Sequence, residues 1–124
     1  EVQGEGAVFI IFEGTNAGGD SAVTVLACDD TTPNNTTAVA FRYKSSTTFD
    51  TWGDWTEATT GGFTTSTASN NMYLIYVPAA ELASEGYGYV QLQLVEDTNA
   101  AVAACVLAGV VEPRYREAPE SLID

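Results

Sequence analysis

The side chains that could carry chemistry in this chain are few, and the most versatile of them is missing. There is no histidine, so no Ser/His/Asp or Cys/His arrangement can be assembled, and proton transfer near neutral pH would fall to carboxylates. No phosphate-binding loop, dinucleotide fingerprint or zinc-ligand spacing occurs. Two adjacent acid pairs, Asp29-Asp30 and Glu96-Asp97, could in principle divide acid and base roles as in glycoside hydrolysis. Both stand at the ends of apolar runs, where carboxylates are ordinarily solvated turn residues. Asp50, Asp54 and Glu57 offer the hard oxygen donors that calcium takes, but not at the spacing of an EF-hand loop, and ordinary loop carboxylates are the expected reading. No catalytic residue, no metal and no cofactor is expected.

Two other groups suit binding better than catalysis. Trp52 and Trp55 would form a sugar-stacking platform if exposed. Burial against a sandwich edge, anchoring a polar loop, is the commoner fate of such indoles and the expectation here. The basic residues fall in two i, i+2 pairs, Arg42/Lys44 and Arg114/Arg116. In an acidic chain these are candidate docking points for an acidic partner surface, with plain solvated charge as the simpler account of Arg42 and Lys44.

Composition narrows the class. A length of 124 residues with 45% hydrophobic content suits one domain that can bury a core. Against 17 acidic residues stand 4 basic ones, a net charge of −13, and a field of that sign repels nucleic acid and anionic membrane. No run approaches the roughly 20 apolar residues of a membrane helix. No leader pattern opens the chain at Glu1, and the lack of an initiating methionine leaves earlier processing open.

The elements that must position these residues read as strands. Tyr89–Glu96 alternates, with Val90, Leu92 and Leu94 on one face and Tyr89, Gln91 and Gln93 on the other. Ala100–Val111 is apolar on both faces and reads as its buried neighbour in a hairpin; its alanines would also permit a buried helix, but its valines and short link favour a strand. Ala7–Phe12 is a central strand, and Ser21–Asp29 follows with Val23, Val25 and Ala27 on one face. Ala38–Lys44 turns Val39, Phe41 and Tyr43 inward and Arg42 and Lys44 outward. Irregular strands are expected around Trp52–Ala58 and Phe63–Thr67, and a strong one at Met72–Val77. Pro78 then opens a single helical turn over Ala79–Ser84, with Gly86 beyond its end. Seven to eight short strands with minimal helix imply an all-β fold, an antiparallel β-sandwich or barrel, spanning 1–112. Pro113 and Pro119 deny residues 113–124 a regular ladder, so these form an extended C-terminal arm with Tyr115, Leu122 and Ile123 as anchors and Arg114 and Arg116 as charged contacts to a neighbouring subunit. Cys28 and Cys105, flanked by apolar residues, are expected to be buried; a disulfide between them would need an oxidising compartment.

The order of these features, Asp50-Thr-Trp-Gly-Asp-Trp55, then Tyr73-Leu-Ile-Tyr-Val77 running into Ala79-Ala-Glu-Leu82, then Tyr89–Glu96, then an Ala/Val strand closing in Glu112-Pro-Arg-Tyr115, resembles small virion structural proteins of tailed bacteriophages, most of all capsid decoration (cement) proteins. The resemblance covers the second half of the chain. It implies a non-enzymatic protein on the capsid exterior, assembled in the host cytoplasm, with the major capsid protein and copies of itself as partners and free thiols. Other readings are a secreted or surface-displayed carbohydrate-binding or adhesin sandwich, for which a host-surface glycan would be the partner, and a phage tail-tube or fibre subunit.

Overall fold

The computed structural model describes residues 2, 4–48 and 51–112. They form nine strands and one short helix: β1 (Gly6–Asn16), β2 (Asp20–Cys28), β3 (Thr36–Ala38), β4 (Phe41–Ser46), β5 (Thr56–Ala58), β6 (Phe63–Thr64), β7 (Met72–Pro78), α1 (Ala79–Ser84), β8 (Tyr89–Thr98) and β9 (Val102–Val111). All pairings are antiparallel. One sheet has the order β5-β4-β7-β1-β9; in the other, β2 pairs with β8 along one edge and with the short β3 and β6 along the other. The all-β, two-sheet architecture is the one the alternating patterns imply.

Between the sheets lies a core in which Ile11, Val23, Val25, Ala27, Ile75 and Val77 are completely buried. Each comes from an alternating position, so the period of the sequence and the inner face of the sheet coincide. Phe41, Tyr43, Phe63 and Tyr73 close one side, with Tyr43 and Phe63 stacked at 4.0 Å and 4°. Leu82 of α1 plugs one end.

Two connections cross from sheet to sheet side by side. Residues 17–19 join β1 to β2, residues 99–101 join β8 to β9, and Ala17 N–H donates to the Ala101 carbonyl at 3.0 Å. The Asn16 side chain accepts from the Gly18 and Gly19 amides at 2.8 and 2.7 Å, fixing the first crossing as an Asx turn. A Cβ on Gly19 would lie 2.6 Å from the Ala100 carbonyl oxygen, so only glycine lets the two crossings meet.

This crossing corrects the expected hairpin. β8 and β9 are consecutive, but they do not form a ladder: β8 pairs with β2 and β9 with β1. The expected single strand over Ala38–Lys44 likewise divides, with β3 in one sheet and β4 in the other, and Val39 buried at the change. Among the described residues of the Thr- and Gly-rich stretch that follows β4, only Thr56–Ala58 and Phe63–Thr64 pair as strands.

Candidate functional site

The outer face of the five-stranded sheet carries an ordered gradient. Cross-strand register sets Glu57, Arg42, Tyr76, Val8 and Gly109 in one row, Lys44, Leu74, Ile10 and Leu107 in the next, and Ser46, Met72, Phe12 and Cys105 in a third. The β5/β4 end is polar, while the β7, β1 and β9 end is apolar. Val8, Ile10, Phe12, Leu74 and Tyr76 are only partly buried and Leu107 is 58% exposed. β1 is therefore apolar on both faces, as strands are when both sides are covered; among the described residues nothing covers this one. At about 4.8 Å per strand and 3.3 Å per residue, the apolar area is on the order of 300 Å² in plan, which reaches the lower end of the largest patches of ordinary monomers, themselves often functional.

The aromatic loop rims the polar end of this face. Trp52 and Trp55 are exposed, at 39% and 48%, which corrects the expectation that they bury against a sandwich edge. The aromatic cluster of Phe41, Tyr43, Phe63 and Tyr73 already fills the adjacent core, so the indoles have no interior place to occupy. They are held outside by a defined loop: Thr48 bridges Thr51, and Gly53 N–H donates to the Ser45 carbonyl at 2.9 Å. The Lys44 ammonium sits over both rings, 5.2 Å from the Trp52 centroid and 5.1 Å from that of Trp55, a cation–π arrangement that fixes their mutual orientation. Each indole leaves on the order of 100 Å² in water, roughly 2–3 kcal/mol of burial not realised within the described residues.

Beside the loop is a shallow groove of about 410 Å³ lined by Arg42, Trp55, Glu57 and Tyr76. Arg42 Nη2 donates to Glu57 Oε1 at 3.0 Å; both side chains are largely exposed, so the pair contributes less than about 1 kcal/mol to stability. The sequence brought Arg42, Lys44, Trp52 and Trp55 forward separately, and the fold gathers them on one end of one face. Arg114, Tyr115, Arg116, Leu122 and Ile123 lie outside the described residues, as does Asp50 of the calcium reading. Among the described residues no three His, Cys, Asp or Glu side chains gather where a metal could sit.

The remaining acids organise turns. The Asn35 side-chain amide donates to Asp29 Oδ2 at 2.9 Å, and this bond holds the Asp29 carboxyl below its ordinary range. Asp30 accepts from the Thr32 amide at 2.6 Å. A buried polar node that the sequence reading missed lies at the end of β1, where Asn71 Nδ2 donates to the Ala68 carbonyl at 2.5 Å and to Glu13 Oε2 at 3.4 Å. Glu13 stands in register with Phe9 and Ile11 on the core face, and the break in period at a charged residue was its only signal. The node ties the loop before β7 to β1.

Cys28 is buried, its thiol pushed up first by that burial and then by the charges of Asp29 and Asp30. Cys105 is exposed on the outer face of β9, which corrects the expectation of a buried thiol. The cause is the same as for Val106, Leu107 and Val110: β9 is an edge strand, so an apolar sequence does not here mean an interior position. Both cysteines are free. Compared with known proteins, the chain matches no family model, no curated protein and no solved structure.

Proposed function

We propose that this protein is a non-enzymatic structural subunit that decorates and stabilises the exterior of a bacteriophage capsid, docking through the outer face of its five-stranded sheet. The observation that supports this reading is the apolar strip of Val8, Ile10, Phe12, Leu74 and Leu107, rimmed at one end by Trp52, Trp55, Arg42 and Lys44. An apolar centre with an aromatic and basic rim matches the anatomy of protein interfaces. The two cations also suit a partner surface that carries carboxylates. The resemblance of its order of sequence features to capsid decoration proteins is what points to a phage particle.

The test is Ile10→Asp, at the centre of the strip and away from the buried core. The variant should fold but lose attachment to heads in co-sedimentation by at least roughly tenfold, because docking would desolvate an unpaired carboxylate. Undiminished coating would refute the reading.

The exposed indoles favour a second reading, in which the groove of Trp55, Tyr76, Arg42 and Glu57 binds a host-surface saccharide, its apolar face on the ring and its hydroxyls on the ion pair. Saturable quenching of tryptophan emission by an oligosaccharide from a broad panel, lost in Trp55→Ala, would favour it.

A further inference from the structure

The edge formed by β8 and β9 differs from every other margin of the sandwich. We propose that it joins two copies of this chain: β9 pairs antiparallel with β9 of a second copy across a two-fold axis beside Leu107, so that two five-stranded sheets become one continuous sheet. Among the described residues β9 pairs with β1 alone, which leaves the hydrogen-bonding groups of its other edge without a strand partner. Natural sheet edges are guarded by charge, proline, bulges or shortness. β9 runs for 10 residues with neither a charge nor a proline. The opposite margin of the same sheet, β5, has 3 residues and includes Glu57.

Charge, shape and extent together indicate a second copy as the occupant. With a net charge of −13, two copies repel wherever carboxylates face each other; this two-fold sets the uncharged strand Val102–Val111 against itself and leaves Glu96 and Asp97 at one end of β8, where the antiparallel arrangement holds them away from their equivalents. An edge strand can satisfy its own equivalent about a two-fold with no second complementary surface. The side chains that β8 and β9 turn toward the space between the sheets, Leu94, Val106 and Val110, are 36%, 43% and 42% exposed. In the joined pair they meet their equivalents, and the two cores become continuous. An edge about 33 Å long and roughly 15–20 Å deep presents on the order of 500–600 Å² per copy, which brings the total to about the size at which stable interfaces begin.

This contact goes beyond the proposed docking. It uses the backbone edge of β9 and leaves the face centred on Ile10 open; Leu107 borders both, and dimerisation without particles and docking of Ile10→Asp are read separately. The test uses the full chain in the absence of any particle. Sedimentation equilibrium should give twice the 13.1 kDa chain mass, and Leu107→Lys, which sets like charges together at the axis, should give monomers with an unchanged far-UV spectrum. In a Cys105→Ser background, Leu107→Cys should form a disulfide-linked dimer on mild oxidation, since facing residues lie about 4.5–5.5 Å apart at Cα, within disulfide reach. Ala103→Cys, on the same face but far from its equivalent, should not. A monomeric full chain, or a dimer in which the Leu107→Cys variant fails to cross-link, overturns the proposal. A full chain that dimerises only when residues 113–124 are deleted assigns the edge to the chain's own C-terminal segment and overturns it too. So does a dimer lost on that deletion, which assigns the edge to exchanged segments.

Discussion

The two ends of the five-stranded sheet turn equally apolar side chains toward the second sheet, yet only one end is sealed. At the β4 end, Phe41, Tyr43, Phe63 and Tyr73 interlock with centroid distances from 4.0 to 6.4 Å. At the β9 end the corresponding positions are Ala104, Val106, Ala108 and Val110, too small to span the gap. Large rings concentrate burial where the fold must hold itself together. Small β-branched and alanine side chains leave an edge whose burial depends on something added to it.

The largest expected effect follows from that asymmetry. Ile75→Ala, at a completely buried position on β7, should cost about 2–5 kcal/mol in urea unfolding through lost transfer energy and a cavity beside the rings. Leu107→Ala on β9 should stay within about 0.5 kcal/mol in the monomer, as surface substitutions do. Equal costs would mean that β9 belongs to the closed core after all.

A smaller effect separates the ring cluster from its hydrogen bond. The Ser66 amide donates to the Tyr73 hydroxyl oxygen at 2.7 Å. Tyr73→Phe strands that part-buried donor and should cost about 1–3 kcal/mol. Burial foremost raises the Tyr73 phenol above its ordinary value of 10.0, so the folded chain holds this proton more tightly than the unfolded one. The resulting stability is complete below the ordinary value and is lost as pH rises through the raised one. Denaturation profiles should therefore fall on the alkaline side in the native chain, and less steeply in Tyr73→Phe.

How far the sequence reaches differs between the same two regions. Alternation places Val23, Val25, Val39 and Phe41 in the core, because local period and inner face agree there, and the stop signals Pro78 and Gly86 bracket α1. It could not tell which sheet a strand joins. Val102–Val111 has the composition of a buried strand, and burial is a matter of neighbours, which composition does not carry. The sheet switch at Val39 is invisible for the same reason: alternation continues through it while the partner strand changes. Nothing in the spacing of Trp52 and Trp55 says that four other rings already occupy the interior. Lys44, which holds both indoles, was legible only as an outward cation.

Thiol chemistry reads the comparison directly. Cys105, on the open end, should react with a disulfide reagent within the mixing phase for chains held as monomers by Leu107→Lys. Cys28, buried and with its thiol pushed up, should react only as the chain unfolds. Two fast thiols would show that the end of β2 opens readily; two slow ones would show that β9 is covered even in the monomer.

The smallest effect lies in the turn from β2 to β3, which belongs to the second sheet. The Asn35 side-chain bond is the foremost cause of the lowered Asp29 carboxyl, followed among the lowering contributions by the Asn35 amide. A depressed carboxylate adds stability above its unfolded value and loses it as pH falls through the folded one. The bond is exposed to solvent, which screens the interaction, and only a small change in melting temperature is expected. Asn35→Ala should melt slightly below the native chain at neutral pH, and the gap should close in acid, below the ordinary carboxylate value of about 3.9. Because β3 pairs with β2 on the edge away from β8, the substitution should leave dimer formation and Cys105 reactivity unchanged. If loosening this turn also dissociates the pair, the edge of β8 and β9 is coupled to the whole second sheet and is not an independent contact.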